Sequence, residues 1–503
     1  MLCFKGSLEK MMFGFFRKKF DDMSYKYFAL YANSLHQRSE QGDAKAQGLL
    51  GFMYETGRIV EQDDKEAVKW FQLAAKQGLA RAQVSLGVMY GDGRGVEQDD
   101  KEAVKWYLLA AEQGFANAQC YLGVIYQYGR GVEQDDKEAV KWFQLAAKQG
   151  LAQAQFGLGV MYEYGNGVVQ DDKETVRWYL LAAKQGFVNA QCNLGVMYAY
   201  GRGVEQNDKK AVKWYLLAAK QGFANAQCNL GFMYEYGFGV EQDDEEAVKW
   251  YLLAAEQGVE NAQYKLGVMY KCGCGVEQDD KEAVKWLQLA AEQGFADAQY
   301  FLGLAYQSGG GVDQDDKEAV KWLQLAAEQG FLDAQYFLGL AYLSGEGVDQ
   351  DDNESIKWFR LAAEQGFADA QCFLGRMYRN GQGVEQNHKE AVKWYQLAVE
   401  QNFSNAQFFL GLAYLSGEGV DQDDNESIKW FRLAAEQGYK GAQFFLGLAY
   451  DNGKVVEQDD EEAIKWYQLA AQQGDENAQY RLGAFYLNED YDKEADQETE
   501  LNE

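Results

Sequence analysis

Every tryptophan in this chain falls at one interval. Trp70, Trp106, Trp142, Trp178, Trp214, Trp250, Trp286, Trp322, Trp358, Trp394, Trp430 and Trp466 each lie 36 residues from the next, and they are all twelve in the protein. A Leu-Gly pair keeps the same step from Leu50-Gly51 to Leu482-Gly483, thirteen copies without an insertion. So strict a period points to a repeat array, in which one small unit recurs and buries its apolar face only against its neighbours.

Each unit reads as two helices. The first begins at Ala-Gln, as in Ala118-Gln119, and runs AQCYLGVIYQY up to Gly129. Ala118, Leu122, Ile125 and Tyr126 follow the i, i+4, i+7, i+8 spacing of one helix face. In nine of thirteen copies the preceding residue is Asn or Asp, as at Asn117, Asn189 and Asp297, which predicts a side-chain N-cap there. The second helix, DKEAVKWFQLAAKQ, stops at Gly150. Its predicted apolar stripe is Val140, Phe143, Leu145 and Ala146 or Ala147, with Trp142 on its flank.

Turns fall to glycine, because the chain has 54 glycines and no proline. Gly78 and its copies follow the second helix, where a left-handed residue is needed, and the one departure is Asn402, the next-best residue for that conformation. A loop glycine at 95, 131 and onward holds in ten of twelve units and fails at Ile59 and Val455, in the first and last full units, as terminal caps do. Gly51, the Ala74-Ala75 pair and Ala82 are placed for close helix approach, with Tyr54 and Trp70 filling the space between units.

GRGVEQDDKEAVKW occurs at 93–106 and again, unchanged, at 129–142. It is not a phosphate loop, which needs G-x-x-x-x-G-K-[ST]. Nor does it alternate acidic ligands toward a closing Glu, as a calcium loop does. Asp135 followed three residues later by Glu138 reads instead as a capping box at a helix start, where a carboxylate also meets the positive end of the helix dipole.

The formal charge of −30 argues against nucleic acid and against an anionic membrane, and favours basic partners. Cys120, Cys192, Cys228 and Cys372 share one place in the repeat and read as small semi-buried side chains, while Cys272 and Cys274 form a C-x-C in a loop with no second pair to complete a zinc site. No disulfide framework, metal site or cofactor is expected. His36 and His388 are far apart, His388 in the exposed QDD loop position, and no nucleophile has an evident base beside it, so the reading is not an enzyme. No secretory core or membrane-length apolar run is present, which makes a cytoplasmic chain the expectation.

The pattern A-Q-x-x-L-G-x-M-Y-x-x-G-x-G-V-x-Q-D-x-x-x-A-x-x-W-[YF]-x-L-A-A-x-Q-G resembles the Sel-one-like repeat (SLR), a relative of the tetratricopeptide repeat. The resemblance covers Ala46 to about Tyr486. It implies an all-α fold, a right-handed α/α superhelical solenoid of about twelve 36-residue helix-turn-helix repeats, acting as a scaffold or adaptor between proteins. A loop proline of the family is replaced here by Glu or Val, as in GVEQ. A cysteine-rich branch of the family is linked to β-lactam chemistry, but its regular paired cysteines are absent. On this reading residues 1–45 are a basic, aromatic segment and a capping helix, 46–486 the solenoid with a closing helix, and 487–503 an acidic tail. Within 1–20, Leu8, Met11, Met12, Phe15, Phe16 and Phe20 share a helical face. That face reads either as an apolar cap on the first unit or as a weak membrane anchor.

Partner-binding residues are sought where the repeat varies. Before each Leu-Gly stand Leu49, Ser85, Tyr121, Gly157, Asn193, Asn229 and Lys265, a site read as exposed. Then come Phe301, Phe337, Phe373, Phe409 and Phe445, with Leu304, Leu340, Arg376, Leu412 and Leu448 three residues on. The resemblance puts first helices on a concave face. The ladder then reads either as a groove for a peptide or partner helix, or as packing between first helices. The near-copy of 334–366 at 406–438 duplicates phenylalanines without selection for binding. Arg376 and Arg379 read as partner-carboxylate contacts or as solvated residues.

Overall fold

The computed structural model describes residues 24–485, where the regular structure is α-helical. Helix Ser24–Glu40 leads. First helices such as Ala116–Tyr128 then alternate with second helices such as Asp136–Lys148, and a helix over 476–485 follows the last of these. The chain divides into two compact bodies, Met1–Asp243 and Asp244–Glu503. Within each, helix pairs stack in chain order. The basic N-terminal pattern of residues 1–20 and the acidic tail from 487 lie outside the described residues. Among the described residues no helix is long and apolar enough to cross a membrane.

The two helices of a unit meet at the Leu-Gly glycine. A Cβ on Gly123 would lie 2.6 Å from the ring of Phe143, and one on Gly195 would lie 2.5 Å from Tyr215. The residue thus admitted directly follows each tryptophan and is nearly inaccessible: Phe143 is 1% exposed and Tyr179 0%. Glycine inside a helix costs about 0.5–1 kcal/mol relative to alanine, whereas burying a large apolar side chain contributes about 1.5–3 kcal/mol. The exchange favours glycine. Phe143, Val140, Ala146 and Ala147 share a cluster with Ala154, Leu158 and Met161 of the next unit, and Trp178 packs on its edge. Tryptophan therefore joins units, as the small-large pattern implies. Leu145 departs from the predicted stripe and is 45% exposed. Two positions along a helix is about 200° of rotation, which turns it away from the Phe143 side.

Helix starts are only half as expected. Asp135 does cap the second helix, accepting from the Glu138 N–H at 3.0 Å. The return arm of the box is not made. The Asp135 N–H donates to the Tyr126 carbonyl, and the Glu138 carboxylate pairs with Lys141 instead. The first helix starts at Ala116, so Asn117 sits inside its first turn, and the N-cap is Phe115, which makes no side-chain capping bond. The cause is the short link Gln113-Gly114-Phe115. Gly114 and Phe115 donate to the carbonyls of Ala111 and Ala110, a left-handed glycine ending of the Schellman type. Phe115 then packs on the core while starting the next helix. Among first helices, Ala44–Thr56 is an exception, capped by Asp43 through the N–H groups of Lys45 and Ala46.

Two devices join consecutive units. Gln119, buried at 4% exposure, donates to the Ala111 carbonyl of the preceding second helix at 3.2 Å and accepts from Gln149 of its own unit at 2.8 Å. The same relay runs through Gln83 with Gln113 and through Gln155 with Gln185. It changes at Asn402, which takes the left-handed conformation at φ 61°. There Gln407 donates to the Asn402 side chain. The second device is the loop glycine: Gly131, at φ 71°, lies so close to the preceding unit that a Cβ would sit 2.5 Å from the Asp100 carbonyl carbon. Ile59 holds the equivalent conformation at φ 72° and is 47% exposed. The leading helix takes part in the relay, since Gln47 donates to the Ser39 carbonyl.

Cys120, Cys192 and Cys372 are buried free thiols, and burial pushes each up to about 12. Cys272, which ends helix Glu260–Cys272 and does not lie in the loop, is joined to Cys274 as a disulfide across the left-handed Gly273, a single bridge where no disulfide framework is expected. The glycine turn brings their Cα atoms to 5.4 Å, within disulfide range.

Two outcomes follow. Gly150→Ala meets open space and should cost only the left-handed strain, about 1–2 kcal/mol. Gly131→Ala adds a backbone collision and should cost roughly 3 kcal/mol or more. Equal denaturation midpoints would discard the loop-against-helix account. In native protein at pH 8, mass-mapped iodoacetamide alkylation should spare Cys120, Cys192 and Cys372, and label them once denaturant is added, because the thiolate is the reactive form.

Candidate partner-binding surface

The candidate phenylalanines occupy the sixth position of successive first helices, from Ala296–Ser308 to Lys440–Asn452. Each helix is fixed at its C-terminal end by a left-handed glycine, so their register is common. The inner faces of three rings lie on the buried aromatic of the preceding unit's second helix. Phe373 stacks on Phe359, Phe409 on Tyr395 and Phe445 on Phe431, with centroids 5.2–5.6 Å apart. In the units preceding Phe301 and Phe337 that buried residue is Leu287 and Leu323. Phe301 is 37% exposed and the other four are half-buried.

Their edges touch the unit before. Tyr264 contacts Phe301 at 5.9 Å, Tyr300 contacts Phe337 at 5.9 Å, and Tyr336 contacts Phe373 at 5.6 Å. Phe408 does the same to Phe445 at 5.8 Å. Within four of the five helices the two adjacent rings also meet, as Tyr300 and Phe301 do, whereas Phe373 follows Cys372. The relay would stop at Cys372, which stands where these rings stand. Arg376 bridges the gap. Its guanidinium lies 4.8 Å from the Phe373 centroid and 5.5 Å from that of Phe409, a cation–π geometry. The sequence reading missed the linking residues, although Tyr264, Tyr300, Tyr336, Phe408 and Phe444 keep the same period.

Leu304, Leu340, Leu412 and Leu448 are half-buried beside the ladder, and Arg376 is exposed in their place. Arg379 belongs elsewhere: its Nε donates to Glu418 of the next unit at 3.0 Å. His388, expected at the surface, is half-buried with Nδ1 3.8 Å from the same Glu418. The variable site in the preceding units also differs from expectation. Leu49 is exposed, but Ser85, Tyr121, Gly157, Asn193, Asn229 and Lys265 are half-buried. The reason is visible at Asn193, whose amide donates to the buried Tyr179 hydroxyl, and at Tyr121, which stacks on Tyr107.

Outside the ladder some arginines are held between units. Arg94 bridges Glu55 and Asp64, and Arg202 bridges Glu163 and Asp172, each at 3.1–3.2 Å. Burial raises the Glu55 carboxyl against the opposing pull of Arg94. Arg376, by contrast, makes no hydrogen bond or ion pair among the described residues.

The repeat model described as "Sel1 repeat" matches thirteen consecutive segments, from 44–79 to 477–499. The crystal structure of c5321, a protective antigen present in uropathogenic Escherichia coli strains and displaying an SLR fold, is 36% identical. That match covers 90% of this chain and 97% of that one, with a TM-score of 0.76. A Sel1 repeat protein from Oxalobacter formigenes is 38% identical over 62% of this chain and 90% of its own, with a TM-score of 0.49. No curated protein matched the sequence. The thirteen matched segments, the all-helical repeat units and the likeness to the Escherichia coli structure agree, and the chain belongs to the Sel1 repeat family.

Proposed function

We propose that this chain is a non-catalytic scaffold for protein–protein contacts, and that a peptide or partner helix binds along the first-helix face of Asp244–Glu503. The observation that carries the reading is the aromatic ladder itself. Its rings are anchored from beneath and from one side, so their outer edges form a fixed apolar surface at constant spacing. Fixed rings lose little entropy when a partner covers them, which is what makes such surfaces efficient contacts. Arg376 adds one cation to that surface, seated within 4.8 and 5.5 Å of two ring centroids and suited to a partner carboxylate. The acidic remainder of the chain favours partners that are basic elsewhere.

The test uses asparagine, because Asn193 and Asn229 already hold the ladder position in the first body. Phe301→Asn/Phe337→Asn/Phe409→Asn should keep its circular dichroism spectrum and lose its captured partner by at least about tenfold in affinity, or ~1.4 kcal/mol. A folded variant that retains the same partners at the same strength sinks the reading. Arg376→Leu, which restores the leucine of the other units, should weaken an acidic contact and flatten its salt dependence.

A further inference from the structure

The first helices of Met1–Asp243 carry a second row of rings that the ladder does not include. Tyr128, Tyr164, Tyr200 and Tyr236 close four consecutive first helices. They are 67%, 68%, 74% and 48% exposed. Single exposed rings are ordinary, but four at one register in adjacent units form a line. The position lies seven residues after the ladder position, on the same helix stripe. In the second body it holds Cys272, Ser308, Ser344, Asn380, Ser416 and Asn452. Where the ladder has phenylalanine, the helix end is small and polar. Where the helix end has tyrosine, the ladder position is Tyr121, Gly157, Asn193 or Asn229. The large exposed ring has moved by two turns of helix.

Each of these tyrosines precedes a left-handed glycine that ends its helix, with φ 66–71° from Gly129 to Gly237, so the row is fixed at its base. Among the described residues no hydrogen bond engages the hydroxyls of Tyr128, Tyr164 and Tyr200. The row ends in a cluster in which Phe232, Tyr236 and Phe238 contact one another at 4.6–5.9 Å.

The spacing selects an occupant. Neighbouring first helices are in contact here, as Asn229 and Cys192 show at 3.9 Å, and packed helices stand about 8–10 Å apart. A polyproline II strand advances about 3.1 Å per residue with three residues per turn, so it returns to the same side every ~9 Å. A β-strand returns every ~6.6 Å and drifts out of register with the rings. A partner helix needs a trough for its apolar face, and this line is one ring wide. Polyproline II has no internal hydrogen bonds, so its carbonyls are open to tyrosine hydroxyls. The net charge of −30 favours basic residues between the prolines. The chain contains no proline, so the occupant comes from another protein.

We propose that Tyr128, Tyr164 and Tyr200 form a docking line for a proline-rich, basic segment of a partner protein in the polyproline II conformation. The site lies on other residues and in the other body from the phenylalanine ladder, so either assignment fails without the other. The test is fluorescence anisotropy of the full chain with a labelled repeating Pro-Pro-Arg peptide long enough to span three units. A repeating Gly-Gly-Arg peptide of equal length and charge is the control. The expected result is saturable binding of the proline peptide, at least about tenfold tighter than the control, and a loss of at least about tenfold in Tyr128→Ser/Tyr164→Ser/Tyr200→Ser. Serine suits this position because Ser308, Ser344 and Ser416 occupy it in the same fold. Should the triple variant melt early, Tyr164→Ser alone carries the comparison. No saturable binding, equal binding of both peptides, or full affinity in the folded serine variant overturns the proposal. So does displacement of the proline peptide from an unaltered site by an oligosaccharide or a helical peptide that binds more tightly.

Discussion

The whole array depends on one contact, the seating of a bulky side chain against a helix that has no side chain at that point. Without glycine at 123, Phe143 would have nowhere to lie, and the two helices of its unit would be held apart by a methyl group. The energetic preference is clear in sign, because the buried ring contributes more than the helical glycine loses. It also explains a feature of the repeat that helix propensity alone disfavours: a glycine in the middle of nearly every first helix. Tolerance is built into the other side of the contact, where phenylalanine, tyrosine and leucine all serve, as Phe143, Tyr215 and Leu287 do.

Between units the chemistry changes from shape to hydrogen bonding. Gln119, itself buried, joins two units through one backbone carbonyl and one side chain, where an unmet amide is expensive. The loop glycine adds a backbone-to-backbone approach that no other residue permits without movement. Contacts of this kind reach only the adjacent unit, so stability accumulates by neighbours. Asn402 marks the one place among the described residues where the left-handed glycine after a second helix is replaced, and there the relay bends to a different acceptor.

Much of this was legible in the sequence because the period makes each residue its own control. The tryptophans, the Leu-Gly pair and the left-handed glycines announced the two helices, the close approach and the turn, and Asn402 was recognisable as the permitted exception. Other features misled or escaped. Asn117 has the chemistry of an N-cap, but the three-residue link ahead of it is closed by glycine hydrogen bonds and leaves the cap to Phe115. Leu145 is apolar and yet faces out, since composition does not report angle around a helix. Gln119 looked like part of a helix-start signature, and its burial needs the third dimension to be seen. The Cys272–Cys274 bond depends on a turn at Gly273 that spacing does not reveal. Of the candidate surface, the phenylalanine ladder was readable by alignment of the units with one another. The tyrosine line keeps the same period, but a tyrosine at a helix end does not reveal from sequence whether it packs or stands exposed, as Tyr128, Tyr164 and Tyr200 do.

The glutamine relay has a consequence for how such a molecule changes over time. Gln119 recognises a main-chain carbonyl and a second glutamine, both of which any unit offers, so the seam is indifferent to which unit comes next. A block inserted between two units meets the same partners on both sides. The near-identical segments 334–366 and 406–438 are what such indifference permits. Length in this architecture is therefore an adjustable dimension, and a reach can be extended by one step without solving a new core.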